Sequence, residues 1–413
     1  MHCKAKTRKT MSQTTRQFLA AAAPTREMID RFLDEDAHNW ATFDPELGYT
    51  LKTCTLRDGI DGSYTLGHYR PGGERQMVNY AQRPCRINTY GDSFTQCHQV
   101  SDGETWQEYI AAHLGEPLRN FGVGGYGVYQ AYRRMLRQEA QNGAEYIVLN
   151  IWSDDHYRSI YRWRWLHIDS FRQRFLDTGD NEAYMFHANP WVYLRLDVQS
   201  GQFEEHKNPY STPESLYQLC DAEHVYETFK DDFAVQALLA QRQVTDVDTA
   251  ILQEVAVALE VPHDFSSPQA TATTATAALR RYALRSSMFI TAKARAFAQE
   301  EDRELLLLLS YSGRDVVAAC GDELRFDSEF VDYLDNEDFL YVDGLRKHVE
   351  DFATFNGAPA DYVQRYYNGH YSPQGNHFFA FAVKDEVVDW LEPKPPAYRE
   401  GGPSIRRAAA ELA

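Results

Sequence analysis

Cysteine is scarce in this 413-residue chain: there are six, Cys3, Cys54, Cys85, Cys97, Cys220 and Cys320, and no two form a CxxC pair. That scatter excludes a dense disulfide framework and the paired spacing of a zinc ribbon; it reads as reduced thiols in a cytoplasmic protein. Basic residues are also in short supply. Lys and Arg number 42 against 60 Asp and Glu, a formal charge of −18. Nucleic-acid binding needs a basic surface to neutralise phosphates, so no nucleic-acid partner is expected. Long apolar runs are missing too. No stretch approaches the roughly 18 residues of a membrane span. The run Phe18 to Ala23, within a basic N-terminal segment, is too short for a signal-peptide core. No membrane partner is expected, and neither internal repeats nor heptads are present.

What is there is an ordinary globular composition, 43% apolar and 25% charged, in a chain long enough for two or three domain-sized units. From Arg86 onward, short apolar strands alternate with amphipathic segments, the pattern of a parallel sheet covered by helices. Strands are predicted at Arg86 to Tyr90, Leu118 to Phe121, Tyr146 to Trp152, Leu305 to Leu309 and Phe339 to Val342. Trp106, Tyr109, Ile110 and Leu114 repeat at helical steps, as do Tyr129, Tyr132, Met135 and Leu136. A last helix is predicted over Asn376 to Leu391, stopped by the proline-rich EPKPP.

These elements divide the chain into an N-terminal extension or cap (1–85), a first α/β part (86–155), an aromatic- and helix-rich insertion (156–300), a second α/β part (301–395) and a tail (396–413). The insertion is expected to pack over the carboxyl edge of the sheet, where α/β folds bind ligands. Within it, Thr212-Pro213-Glu214 reads as a helix start, and QATATTATAAL as a linker or a soft helix.

The strongest local signal is Gly91-Asp92-Ser93-Phe94-Thr95 after the first strand. A serine on a tight strand-to-helix turn presents its hydroxyl at the sheet edge, with the turn's amides available to a developing oxyanion. Alone, the tripeptide reads equally as a β-turn capped by Asp92. Two further blocks accompany it: Asn120-Phe121-Gly122-Val123-Gly124-Gly125 after the second strand, and Gly369-His370-Tyr371-Ser372-Pro373 before the last helix. With Trp152-Ser153-Asp154-Asp155 after the third strand, the four blocks resemble those of the SGNH/GDSL hydrolase family in order and strand position. The resemblance covers about 86–155 and 300–392. It implies a three-layer α/β/α, flavodoxin-like parallel sheet interrupted by a large, mainly helical insertion.

The same resemblance implies a serine esterase or deacylase. Ser93 takes the place of the nucleophile and His370 that of the base, since a hydroxyl needs a neighbouring base to attack. The Ser93 and Gly125 amides take the place of oxyanion donors, with Gly122 and Gly124 as near-equivalents of Gly125. Small O-acyl esters, acetylated sugars among them, are the implied substrates, with no cofactor and no metal. Two positions depart from the family pattern. Asp154 stands where an oxyanion-donating Asn belongs, and only a protonated Asp154 could donate. Asn368 stands near where an acid should support the histidine; it can orient the ring by accepting from Nδ1–H, or Asp361 or Asp343 can supply the acid from elsewhere.

Other residues admit two readings. Asp154-Asp155-His156 with His98 has metal-ligand chemistry, but adjacent residues at a strand end seldom converge on one ion. Arg158, Arg162 and Arg164 alternate with Tyr161, Trp163 and Trp165. Arg158 and Trp163 could grip an anionic or sugar-like substrate, or the run could be packed aromatics beneath a solvated Arg face. Cys97 and His98 are expected to shape the pocket behind Ser93. Two rival functions share these residues: a weakened binding or scaffold protein of the same fold, and an acyltransferase using the same Ser–His pair.

Overall fold

The computed structural model describes residues 14–37, 40–167 and 182–399. Part of the aromatic insertion and of the C-terminal tail lies outside the described residues. The fold is mixed α/β. Five strands form one parallel sheet: β1 (Ile87–Tyr90), β2 (Arg119–Asn120), β3 (Tyr146–Trp152), β4 (Glu304–Ser310) and β5 (Tyr341–Asp343), in the order β5-β4-β3-β1-β2. The continuous apolar runs YIVLNIW and LLLLL account for the centre, because a parallel strand covered on both faces has no polar side to show. β3 and β4 pair along their whole lengths, Tyr146 opposite Glu304 through Trp152 opposite Ser310.

Alternate side chains then go to opposite faces. Ile87, Val148, Leu306, Leu308 and Val342 pack with Trp106, Ile110 and Leu114 of a first helix, α1 (Trp106–Leu114), and with residues of the C-terminal helix. Ile147, Leu149, Ile151, Leu307 and Leu309 join Ala131 and Met135 of α2 (Val128–Asn142), and Ile290 and Ala294 of α3 (Pro268–Glu300). The C-terminal helix, α4 (Pro373–Trp390), contributes Phe379, Val383 and Val387 to the first face. Burying each such leucine stabilises by about 1.5–3 kcal/mol.

The QATATTATAAL segment is the first part of α3, a 33-residue helix. Ser267 caps it by accepting from the Ala270 amide, and Pro268 fits the first turn, whose amide has no partner to lose. Its Ala275, Ala278 and Leu279 are buried in the insertion's core. The small side chains that looked like a linker are packing residues. The insertion also holds an antiparallel hairpin, Tyr193–Asp197 with Gln202–His206, beside its helices. Its period-two signature is short: Leu194 and Leu196 are buried while Arg195 is exposed.

The segment before β1 carries two helices, Thr15–Ala21 and Arg26–Leu33, and two hairpins, Ala41–Asp44 with Gly48–Leu51 and Cys54–Leu56 with Thr65–Gly67. It reaches the carboxyl edge of the sheet, where Tyr49 donates to the Gly124 carbonyl at 2.8 Å. Among the described residues no helix is long and apolar enough to cross a membrane.

Candidate active site

β1 runs into Gly91, where an added Cβ would lie 2.1 Å from Thr95 Oγ1 and 2.6 Å from the Asn150 carbonyl oxygen. Only glycine lets the chain turn that closely against β3. Asp92 then caps the short helix Ser93–Gln96 by accepting from the Phe94 amide at 2.8 Å, so Ser93 opens that helix. On the far side of the chain, a two-residue antiparallel pairing of Tyr367–Asn368 with His370–Tyr371 turns at Gly369, φ +82°, immediately before α4. The turn delivers His370 to Ser93: Nε2 lies 2.9 Å from Ser93 Oγ.

The ring's other nitrogen identifies a residue that the sequence reading missed. His370 Nδ1 is 2.8 Å from Gln99 Oε1, which also accepts from the His370 amide at 3.0 Å. Gln99 Nε2 donates to the Asp58 carbonyl at 2.9 Å, which fixes the end of the amide that faces the ring. An amide oxygen can only accept, so Nδ1 carries the proton and Nε2 presents a lone pair to the Ser93 hydroxyl. Gln99 adopts φ +71°, uncommon for a non-glycine residue, and an added Cβ on Gly369 would press to 2.8 Å from Gln99 Oε1. No spacing rule connects Gln99 to His370; only the turn at Gly369 does.

The acid-like positions considered from sequence lie elsewhere. Asn368 is not at the ring; its Nδ2 points to the Asp58 carbonyl at 3.5 Å. Asp343 caps the helix Gly344–Phe352 and pairs with Arg325 at 2.6 Å. Asp361 is exposed in the first turn of the helix Pro359–Tyr366. Among the described residues no carboxylate touches Nδ1. Burial, with His98 and Arg158 nearby, holds the His370 imidazole well below its usual pKa, so it is neutral at pH 7 and able to accept a proton.

Ser93 Oγ has a second neighbour, Asp92 Oδ2, at 3.1 Å. Behind it lies a buried cluster of charges. Arg158 Nη1 donates to Asp92 at 3.2 Å and to Asp155 at 3.0 Å, while its Nε donates to Asp154 at 3.0 Å. Arg164 reaches Asp154 at 3.3 Å. Asp155 also accepts the Trp152 amide at 2.9 Å. Three carboxylates thus share two arginines. Burial raises the pKa of Asp92 and of Asp155, Asp155 the further because Asp92 faces it. For Asp154 burial also raises, but Arg158, Arg164 and His167 outweigh it and hold the carboxyl below its usual value. Asp154 therefore stays ionised, and an ion-paired carboxylate has no proton to give an oxyanion. The reading of Asp154 as a donor is corrected on that ground.

The glycine loop separates its three candidate amides. Gly122 N–H donates to Asn120 Oδ1 at 3.0 Å and Gly124 N–H to Gln96 Oε1 at 2.7 Å. Gly125 N–H has no hydrogen-bond partner among the described residues, and neither has the Ser93 amide. A Cβ on Gly124 would lie 3.5 Å from Ser93 Cβ, which sets the loop beside the nucleophile position. Gly125, at φ +86°, lies under the Tyr49 hydroxyl and near His187.

No family model matches the chain, and no curated protein does. Four chains of solved structures match. One, from Desulfitobacterium hafniense DCB-2, is assigned to the G-D-S-L family of lipolytic proteins. It is 16% identical, over 47% of this chain and 98% of that one, with a TM-score of 0.17. So loose a likeness carries no argument.

The other sequence candidates have definite places. Trp163 is fully buried and stacks on Phe229 at 5.0 Å, so it belongs to the insertion's core and not to a binding surface. Arg162 lies over the Tyr193 ring at 4.1 Å. Arg158 is buried in the ion cluster with one edge on a cavity. His156 bonds Ser287 of α3 at 2.8 Å, and His98 pairs with Asp58 at 3.2 Å. Those histidines do not converge with Asp154, and among the described residues no three His, Cys, Asp or Glu side chains form a metal-binding group. The Cys97 thiol is pushed up to about 12 by burial, which suits packing and not nucleophilic attack. Beside His98, two aromatic rings were not foreseen: Trp40 of the N-terminal segment faces His98 at 6.4 Å and Phe186 of the insertion at 4.8 Å.

Proposed function

We propose that this protein is a serine-dependent esterase or deacylase. The observation that carries the reading is the Ser93 Oγ–His370 Nε2 contact of 2.9 Å, with Nδ1 held by Gln99. His370 takes the hydroxyl proton as Ser93 attacks the acyl carbonyl. The Ser93 and Gly125 amides are the groups free to receive the oxyanion, and His370 then returns its proton to the leaving alcohol. Water repeats the sequence to release the acid. Small O-acyl esters, acetylated sugars among them, are the proposed substrates, and the cytoplasm the proposed compartment. The strand order 2-1-3-4-5 supports a flavodoxin-like frame for this chemistry.

The lack of a carboxylate at Nδ1 favours one second reading, a weakened binding protein of the same fold. Hydrolysis of p-nitrophenyl acetate distinguishes the two. The esterase reading expects turnover that Ser93→Ala and His370→Ala each reduce by about 10²–10⁴. Equal rates in wild type and both variants would leave only the binding reading.

A further inference from the structure

Tyr49 stands on the second strand of an N-terminal hairpin, Gly48–Leu51, outside the two stretches that resemble a hydrolase. Its buried ring meets Tyr126 and Phe186 at 5.3 Å and Trp40 at 5.8 Å. The hairpin is tied to α2, the helix that follows the glycine loop. Gln130 donates to the Leu47 carbonyl at 2.9 Å, Arg133 to Glu46 at 2.7 Å and Arg137 to Asp44 at 2.9 Å. The Tyr126 hydroxyl donates to the Tyr49 carbonyl. These contacts hold the Tyr49 hydroxyl against the loop, 2.8 Å from the Gly124 carbonyl oxygen.

The Gly124 carbonyl and the Gly125 amide belong to one trans peptide unit. Such a unit is planar with its C=O and N–H pointing opposite ways, so the tyrosine that fixes the carbonyl also turns the amide away from itself. Gln96 fixes the preceding amide, its Oε1 accepting from Gly124 N–H at 2.7 Å. The Gly125 N–H, with no partner among the described residues, is what this clamp leaves to a ligand. Ser93 borders the same stretch, since a Cβ on Gly124 would lie 3.5 Å from Ser93 Cβ. A Cβ on Gly125 would instead fall on the Tyr49 hydroxyl, so the tyrosine can approach only a glycine. Donation to the carbonyl also polarises the amide and makes its N–H a stronger donor. Burial holds the Tyr49 hydroxyl well above its usual pKa, so it stays a donor at neutral pH.

We infer that Tyr49 is a positioning residue for the oxyanion site: it aims and polarises the Gly125 amide that receives the negative charge when Ser93 attacks. The inference rests on the esterase reading and makes the N-terminal segment part of the active site. Tyr49 does not touch the reacting atoms; it acts through Gly125. Deleting an oxyanion donor outright costs about 10²–10³ in turnover, so weakening one should cost roughly tenfold to a hundredfold.

The test is Tyr49→Phe in the full chain, which removes the hydroxyl and keeps the ring. Two quantities are read against wild type. One is p-nitrophenyl acetate kinetics. The other is inhibition by 2,2,2-trifluoroacetophenone, whose carbonyl carbon takes the Ser93 oxygen to give a tetrahedral oxyanion while His370 takes the hydroxyl proton. The kcat should fall roughly tenfold to a hundredfold with KM unchanged, and ketone inhibition should weaken by a similar factor. The acid limb of the pH profile should not move, because His370 and Gln99 are untouched. An unchanged kcat in the folded variant, a loss confined to KM, a fall in kcat without weaker ketone inhibition, or a shifted acid limb overturns the inference. Should Tyr49→Phe not fold, 4-aminophenylalanine at position 49 takes its place as a weaker donor of the same shape. A smaller fall in kcat with weaker ketone inhibition is then expected, and wild-type values overturn the inference. A wild type that neither hydrolyses the ester nor binds the ketone sinks the esterase reading and this inference with it. Ser93-dependent turnover in wild type beside any of the overturning results shows that the inference alone has failed.

Discussion

Replacing Gln99 by Glu changes one atom of a side chain and puts a negative charge where His370 now has a neutral acceptor. Gln99 Oε1 sits 2.8 Å from Nδ1, so the carboxylate would face the ring directly. A unit charge pair about 4 Å apart is worth roughly 4 kcal/mol at an effective dielectric of 20, or about a thousandfold in proton affinity. Two effects reduce this. The new carboxylate is desolvated, and it loses the donor bond that Gln99 Nε2 makes to the Asp58 carbonyl. The expected gain in kcat/KM for p-nitrophenyl acetate is therefore between about tenfold and a thousandfold, within the roughly 10⁴ that an Asp-to-Asn change removes in a serine protease. The pH profile carries the sign. His370 works as a neutral base, and burial holds its pKa well below 6.5, so the wild-type acid limb should lie below pH 6.5. A carboxylate at Nδ1 stabilises the imidazolium and moves that limb to higher pH. A folded Gln99→Glu protein with an unmoved acid limb and an unchanged rate would refute the assignment of Gln99 as the residue that positions the base.

Asp154→Asn should not raise hydrolysis, because the carboxylate is engaged by Arg158 and Arg164; a loss of roughly 1–3 kcal/mol in unfolding free energy, read by urea denaturation, is the expected effect. Acid should destabilise the fold through a buried, neutral histidine. Burial lowers His156 from 6.5 to about 4, so the unfolded chain takes up this proton first, and stability falls as pH drops from 6.5 toward 4. That single group contributes on the order of 3 kcal/mol by pH 4, readable as a falling denaturation midpoint; a flat midpoint over that window contradicts the buried, neutral assignment. Arg158→Ala leaves Asp92 and Asp155 buried without their cation, and a loss of about 3–5 kcal/mol is expected by urea denaturation.

The central sheet was legible because its signal is local. A seven-residue apolar run such as Tyr146 to Trp152 can be satisfied only by a strand covered on both faces, and the structure has β3 over those same residues. Ser93 could be picked out for the same kind of reason: a glycine that must turn the chain against β3 precedes it. His370 could be picked out by the glycine turn before a capped helix. What escaped depends on groups brought together by tertiary structure. Gln99 follows Ser93 by six residues with no pattern to mark it, and its role exists only because Gly369 lets the two backbones approach. Asp154 looked like a defective donor until Arg158 and Arg164 appeared around it. Trp163 has the composition of a binding residue, but composition does not reveal that Phe229 covers its ring. The hairpin in the insertion was missed because its alternation lasts only a few residues, too short to stand out from neighbouring helices.

The most direct measurement is labelling with a fluorophosphonate, followed by peptide mapping by mass spectrometry. A serine activated by a neutral imidazole at 2.9 Å should take a single adduct on Ser93, and the adduct should be lost or slowed at least a hundredfold in His370→Ala. An unlabelled Ser93 between pH 6 and 9, or labelling that proceeds as fast without the imidazole, contradicts it.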